Sequence, residues 1–325
     1  MKVLITGIRG FLATSLAKSL LQQGYVVRGF ARQALPALDD IEIVVGTLED
    51  AQAVQQAVQG CELVFHVAAK AGVWGDYDVY YQSNVVGTQH VIDACLVHGV
   101  ARLVYTSSPS VVFSGCDEEG IDESIAYPQR YLCHYSATKA MAEKAVLAAN
   151  SEQLATVALR PHLIWGEGDR HLVPRVLERG RAGSLRLIGA DKQVDCTYID
   201  NAVLAHTQAA RYLQVGAACA GKAYFISNGE PMPMGHILNQ MLACADLPAV
   251  TKRVSTPLAY ALACLIELNY TLLKKKEEPL LTRFVVRQLS CAHWYKLEAA
   301  KKDLAYEPTV SIAQGMQRLR QSLQA

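Results

Sequence analysis

A tyrosine and a lysine four residues apart, in Tyr135-Ser136-Ala137-Thr138-Lys139, head an amphipathic run that extends to about Asn150. Residues i and i+4 share one face of a helix, so a phenol and an ammonium would point into the same space. A phenol titrating near pH 10 is a sluggish acid at neutrality. A cation beside it stabilises the phenolate, and a shift of three units is worth about 4 kcal/mol. A second polar cluster, Ser107-Ser108-Pro109-Ser110, follows the apolar run Leu103-Val104-Tyr105-Thr106. If that run is a parallel strand, the serines stand at its carboxyl edge, where open α/β sheets bind ligands. A hydroxyl there donates to a carbonyl oxygen and stabilises the charge that develops on it. Taken alone, the tyrosine and lysine also fit a helix-surface pair, and the serines also fit a turn that caps a strand.

A third feature favours chemistry. Thr6-Gly7-Ile8-Arg9-Gly10-Phe11-Leu12-Ala13 is a glycine loop placed between an apolar run, Val3 to Thr6, and a helical repeat of Leu12, Ala13, Leu16, Ala17, Leu20 and Leu21. Missing side chains at Gly7 and Gly10 let the backbone turn tightly and approach a pyrophosphate. The N–H groups that open the helix, around Phe11 and Leu12, would meet its charge. This context predicts a dinucleotide site. Sites selective for NAD place a carboxylate about 20 residues on, against the ribose hydroxyls. Here Gly29-Phe30-Ala31-Arg32 offers none, and the Arg32 guanidinium, with Arg9 in the loop, suits the extra phosphate of NADP.

The elements that must hold these groups follow from the pattern. Val26–Phe30, Ile43–Val45, Leu63–His66, Leu103–Thr106 and Ala155–Leu159 join Val3–Thr6 as short apolar runs of strand length, alternating with amphipathic segments. Strand, helix, strand, repeated, predicts an α/β fold with a doubly wound parallel (Rossmann) sheet. Residues 1–160 read as the dinucleotide-binding domain. Residues 161–325 read as a smaller substrate-covering region interleaved with the end of the sheet. The chain has 325 residues, 51% of them hydrophobic and 19% charged, with a net charge of +1. That balance excludes disorder and gives no basis for tracking nucleic acid. Nine cysteines, odd in number and never spaced CxxC, predict free thiols in a reducing compartment. The histidines show no ligand spacing, so no metal is assigned. Met1-Lys2 runs straight into an apolar strand, which leaves no room for a signal peptide and predicts a cytoplasmic protein. Pro257 to Leu273 is a greasy run followed by Lys274-Lys275-Lys276. At about 1.5 Å per residue it is too short to span a bilayer, and it reads as a helix that lids a pocket or rests on a membrane surface.

Together, the glycine loop, the serine after the fifth strand and YxxxK resemble the extended short-chain dehydrogenase/reductases, nearest to their 3β-hydroxysteroid dehydrogenase branch. The resemblance covers nearly the whole chain. It implies Ser108 as the catalytic hydroxyl, with Ser107 as the alternative, Tyr135 as proton donor and acceptor, and Lys139 as the residue that binds the nicotinamide ribose and lowers the tyrosine pKa. It implies Asn84 as a support of the active site, Ala68, Ala69 and Lys70 as a loop along the cofactor, and Pro161 and Ile164 in the segment packing on the nicotinamide. Thr47 and Leu48 take the adenine position. Thr47 stands where the family commonly has an aspartate. Within the branch, the runs Ala68–Gly75, Ala142–Asn150 and Trp165–Asp169 resemble an enzyme that uses NADPH to reduce a long-chain 2-alkyl-3-oxoalkanoic acid to the 3-hydroxy acid in bacterial olefin biosynthesis. A carboxylate head would need a cation, for which Lys70, Arg175 and Arg186 are open choices. The resemblance also implies a homodimer through the helices near 81–98 and 135–150, and contact with neighbouring pathway enzymes. A sterol or steroid 3β-dehydrogenase, a sugar-nucleotide epimerase or dehydratase, and a non-catalytic NADP-binding sensor are the competing readings.

Overall fold

The computed structural model describes residues 1–34 and 41–324. Among them a central parallel sheet is built from β1 (Lys2–Thr6), β2 (Val26–Ala31), β3 (Glu42–Val45), β4 (Leu63–His66), β5 (Arg102–Thr106), β6 (Ala155–Pro161) and β7 (Lys222–Ile226). Its spatial order is β7-β6-β5-β4-β1-β2-β3, so the winding reverses between β1 and β4. Every pairing in it is parallel. The first six strands lie where the apolar runs predict them. The seventh comes from the half of the chain whose pattern is irregular.

Alternation along the strands separates two cores. Val3 and Ile5 pack with Leu12, Leu16 and Leu20 on one face of the sheet. Leu4 packs with Val54, Ala57, Val91 and Ile92 on the other. Helix α1 (Phe11–Gln22) buries Leu12, Ala13, Leu16, Ala17 and Leu20 and ends at Gly24, whose φ of +80° closes the helix in the left-handed region a glycine adopts freely. Helix α2 (Ala51–Val58) is capped by the Asp50 carboxylate, which accepts from the N–H groups of Gln52 and Ala53. Helix α3 (Tyr77–Tyr81) runs through a π-helical turn (Gln82–Val86) into α4 (Gly87–Val97), and α5 (His134–Ala148) lies beside it.

Beyond β6 come α6 (Leu172–Arg181), α7 (Ile199–Tyr212), α8 (Met234–Cys244), α9 (Thr256–Leu272) and α10 (Arg283–Ser290), followed by two C-terminal helices, Glu298–Leu304 and Ile312–Gln324. A smaller sheet joins Glu118–Ile121, from before β6, to His293–Tyr295, Gln193–Val194 and Met232–Pro233 from after it. The greasy run is helix α9, but its leucines do not line a cavity. Ala259 and Ala263 face inward, while Leu258, Leu262, Leu265, Leu268 and Leu272 are exposed. The small alanines let the helix lie close against the protein, and the leucines stand on its outer side.

Candidate active site

The glycine loop follows β1 directly. Gly7 has φ +70°, and a Cβ placed there would stand 2.9 Å from the Cα of Ala68. The loop therefore closes onto the strand-end loop after β4 only because residue 7 has no side chain. Gly10 caps α1 without any side-chain hydrogen bond, so the first N–H groups of the helix, at Phe11, Leu12 and Ala13, are left to a ligand. This cradle fits a pyrophosphate. Arg9 and Arg32 are both exposed beside it, and the Arg9 guanidinium donates to Gln33 Oε1 at 3.0 Å. Ala31 is buried in β2. Thr47 is exposed next to buried Leu48, whose carbonyl is bonded to His90 Nδ1 at 2.8 Å.

A chain of buried polar groups ties this cradle to α5. Thr6 Oγ1 bonds His66 Nδ1 at 2.8 Å and accepts from the Ala68 N–H at 3.0 Å. His66 Nε2 lies 3.0 Å from Thr88 Oγ1, which itself donates to the Asn84 carbonyl at 2.6 Å. That geometry assigns the imidazole proton to Nε2. Burial, reinforced by the Lys139 charge, drives the His66 pKa down to about 3, so the ring is neutral. Asn84 sits in the π-turn. It accepts from the Lys70 N–H at 2.7 Å and donates to the Lys70 carbonyl at 3.1 Å and to Thr138 Oγ1 at 3.0 Å. One amide thus fixes the loop of Ala68, Ala69 and Lys70 against α5. Thr6 opens the glycine-loop run and Thr138 lies inside the YxxxK run, but the sequence reading gives none of Thr6, Thr88 and Thr138 a role. Their signal is that each is a small hydroxyl inside an apolar element.

Tyr135 and Lys139 both turn toward the carboxyl end of β5. The Lys139 ammonium, 2% exposed, donates to the Thr106 carbonyl at 2.7 Å and lies 4.1 Å from the centre of the Tyr105 ring. Burial pulls its pKa down to about 7, against the opposing charge of Glu143. The Tyr135 pKa is pushed up to about 12 by burial, with the Ser108 hydroxyl as the neighbour that opposes the rise. The expected lowering of the tyrosine by Lys139 does not act on the phenol here: burial dominates, and the ammonium donates to the Thr106 carbonyl. Ser108 Oγ accepts from the Ser110 N–H at 3.2 Å and lies 3.0 Å from Ser110 Oγ. Ser107 is buried with its hydroxyl unpartnered, and its N–H donates to the Leu159 carbonyl.

Behind Lys139 by one turn, Glu143 forms a two-pronged ion pair with Arg160 at 2.9 and 2.7 Å and accepts from the Tyr127 hydroxyl at 2.6 Å. Arg160 leads into buried Pro161 and half-buried Ile164. On the other side, Tyr135 packs into an apolar cluster of Phe113, Leu132, Val73, Phe284 and Val285. This wall, supplied partly by α10, was not legible in the sequence, since its members come from four separate segments. Of the cations considered for a carboxylate, Arg175 pairs with Glu278 at 3.1 Å, and Arg186 donates to the carbonyls of Gly183 and Leu185. Lys70 is exposed on the loop that Asn84 holds.

Residues 4–255 match the 3-beta hydroxysteroid dehydrogenase/isomerase family. A 2-alkyl-3-oxoalkanoate reductase of Shewanella oneidensis is 52% identical, the alignment covering 98% of this chain and 85% of that one. Its namesake from Stenotrophomonas maltophilia is 50% identical over 99% of both. A 3beta-hydroxysteroid-dehydrogenase/decarboxylase of Arabidopsis thaliana is 37% identical over 97% of this chain and 77% of that protein. Among solved structures, a UDP-glucuronic acid 4-epimerase from Bacillus cereus in complex with NAD superposes with a TM-score of 0.76 at 20% identity, covering 100% of this chain and 96% of that one, which establishes the common fold. The chain belongs to the 3-beta hydroxysteroid dehydrogenase/isomerase family, a branch of the extended short-chain dehydrogenase/reductases, and is an oxidoreductase acting on CH–OH and C=O groups.

Proposed function

We propose that this protein reduces a long-chain 2-alkyl-3-oxoalkanoic acid to the 2-alkyl-3-hydroxyalkanoic acid with NADPH, as a cytoplasmic step of long-chain olefin biosynthesis. The observation that carries the chemistry is the facing of the Tyr135 phenol and the Ser108 hydroxyl at the end of β5 beside an apolar wall. The near-full-length likeness to two 2-alkyl-3-oxoalkanoate reductases supports the substrate.

NADPH, when bound, supplies the hydride for C3. The N–H groups of Phe11 and Leu12 over Gly7 and Gly10 would hold its pyrophosphate, and Arg9 and Arg32 its 2′-phosphate. Thr47 and Leu48 would face the adenine, with Ala68, Ala69 and Lys70 along one side and Pro161, Ile164 and Lys139 toward the nicotinamide. Ser108 donates to the substrate carbonyl oxygen and stabilises the charge that grows there. Tyr135 then delivers its proton to that oxygen, completing the alcohol and leaving a phenolate. At about 12 the isolated phenol holds its proton firmly, and the Lys139 ammonium one turn away is the cation that balances the phenolate once formed. Phe113, Leu132, Phe284 and Val285 exclude water and offer contact to alkyl tails. Of Lys70, Arg175 and Arg186, Lys70, whose ammonium lies 5.8 Å from the centre of the Tyr80 ring, is the one that would meet the carboxylate, since Arg175 is paired with Glu278 and Arg186 donates to backbone carbonyls.

The test is NADPH oxidation with 2-alkyl-3-oxo acids of short and long tails, and NADP⁺ reduction with the corresponding 3-hydroxy acids. A sterol bearing a 3-hydroxyl, suggested by the plant relative, and a UDP-sugar serve as the competing substrates. Turnover of either of these, with none of the oxo acid, overturns the substrate assignment. For the cofactor, Ala31→Asp with Arg32→Ala should raise the KM for NADPH by at least about tenfold, the equivalent of one lost charge-assisted contact. An unchanged preference for NADPH over NADH removes Arg32 from the site.

A further inference from the structure

Seven of the nine exposed leucines among the described residues fall between positions 258 and 280: Leu258, Leu262, Leu265, Leu268, Leu272, Leu273 and Leu280. The first five repeat at three- and four-residue steps, which puts them on one face of α9. A soluble surface seldom gathers so much contiguous apolar area without a partner. The opposite face, with Ala259 and Ala263, packs on Val286 of α10 and on Ile188. Glu267, the acid within the helix, is turned away from the stripe and held by Arg283 at 2.6 Å.

Charge and aromatic residues gather at one end of the stripe. Lys274, Lys275 and Lys276 follow the helix, and Arg175 and Arg179 of α6 reach Glu278 and the Leu280 carbonyl. Of these five cations Arg175 pairs with Glu278 and Lys276 lies 3.9 Å from Asp76, and with Glu277 next in the chain the named charges leave this rim net basic. Trp74 stands edge-on to Tyr270 at 5.9 Å and donates its indole N–H to the Lys275 carbonyl at 3.0 Å. A leucine face bordered by lysines, arginines, a tryptophan and a tyrosine has the chemistry of a helix lying in the headgroup region of an anionic bilayer. No helix among the described residues is long and apolar enough to cross a membrane, which is consistent with a helix that lies on the surface. We propose that α9, with the loop from Lys274 to Leu280, docks this protein on anionic phospholipid membranes. Trp74 belongs to the loop that continues from Ala68 and Lys70, so the docked face borders the rim of the candidate active site.

Flotation of the full chain with vesicles of equal parts phosphatidylglycerol and phosphatidylcholine tests this. The bound fraction should rise with lipid, and fall on pure phosphatidylcholine and in high salt. Leu262→Glu with Leu265→Glu should weaken binding by roughly a hundredfold, about tenfold per leucine, while leaving the unfolding midpoint unchanged because both side chains already face solvent. Absence of binding to either vesicle overturns the proposal, as does binding by the double variant equal to that of the parent chain. Sedimentation equilibrium decides the remaining case: a dimer that becomes monomeric in the double variant, with no lipid bound by the parent, assigns the face to a second copy and overturns membrane docking.

Discussion

Replacing Glu143 by Gln removes one charge from an ion pair whose side chains are 0% and 3% exposed. Breaking a buried pair by deleting one partner costs about 3–5 kcal/mol, because the other charge stays desolvated and uncompensated. Glutamine can still accept from Tyr127, so the loss should come from Arg160 alone. At about 2.1 cal/mol/K per residue, unfolding a chain of 325 residues carries an entropy near 0.7 kcal/mol/K, so the loss appears as a fall in Tm of about 4–7 °C. Arg160→Met in the Glu143→Gln background should recover at least about half of it, since no unpaired charge then remains. Calorimetry at pH 7 on the two single variants and the double makes the cycle. A fall below about 1.5 °C in Glu143→Gln, or strict additivity in the double, refutes the assignment of this pair as a buried, mutually dependent unit. The same variant reports on catalysis. Glu143 opposes the burial that pulls the Lys139 pKa down to about 7, so neutralising it lowers that pKa further. The protonated lysine is then lost at lower pH, and the alkaline limb of kcat moves toward acid.

Tyr135→Phe should lower kcat by at least about a hundredfold with the cofactor KM within about twofold, as expected for a proton donor; steady-state kinetics that retain a tenth of the activity remove it from that role. Asn84→Ala leaves the Lys70 N–H, the Lys70 carbonyl and Thr138 Oγ1 without their partner. Three hydrogen bonds at about 1 kcal/mol each predict about 2–4 kcal/mol in urea unfolding, together with a raised cofactor KM. Stability should also fall with acid. His66 and His162 are held at about 3 and His206 at about 4 by burial, all below the 6.5 of the unfolded chain. Their contribution is complete above pH 6.5 and is lost as the pH drops toward those values. Asp195, raised to about 6, acts in the opposite sense over pH 6 to 3.8. Three histidines against one carboxylate predict a net loss of about 4 kcal/mol between pH 7 and pH 5, and a urea midpoint that holds or rises over that interval contradicts it.

What the sequence reveals here, and what it hides, follows from how local each device is. The glycine loop, β1 to β6 and the start of α5 are written in contiguous residues, because a buried parallel strand needs an unbroken apolar run and a helix face repeats every three or four positions. Gly7 and Gly24 announce themselves in the same way, through turns that only a glycine makes easily. The tie from Thr6 through His66, Thr88 and Asn84 to Thr138 joins five segments. Each residue in it is, taken singly, an ordinary polar side chain, and only the winding reversal between β1 and β4 brings them into one line. The apolar wall beside Tyr135 is hidden for the same reason, with Val73, Phe113, Leu132 and Phe284 arriving from loops and α10.

The greasy run at α9 misleads in an instructive direction. Composition says apolar, and burial is the ordinary consequence, but the side of the helix facing the protein is taken by alanines and the leucines are left outside. Periodicity could not decide this, since both faces are apolar. Close packing decides it: small residues at the contact let α9 approach α10, and the larger ones are displaced outward. A chain that keeps this much leucine in water at its surface pays in solubility unless something covers it, and the lysines, arginines and Trp74 that border the stripe make an anionic bilayer the cover that matches its chemistry.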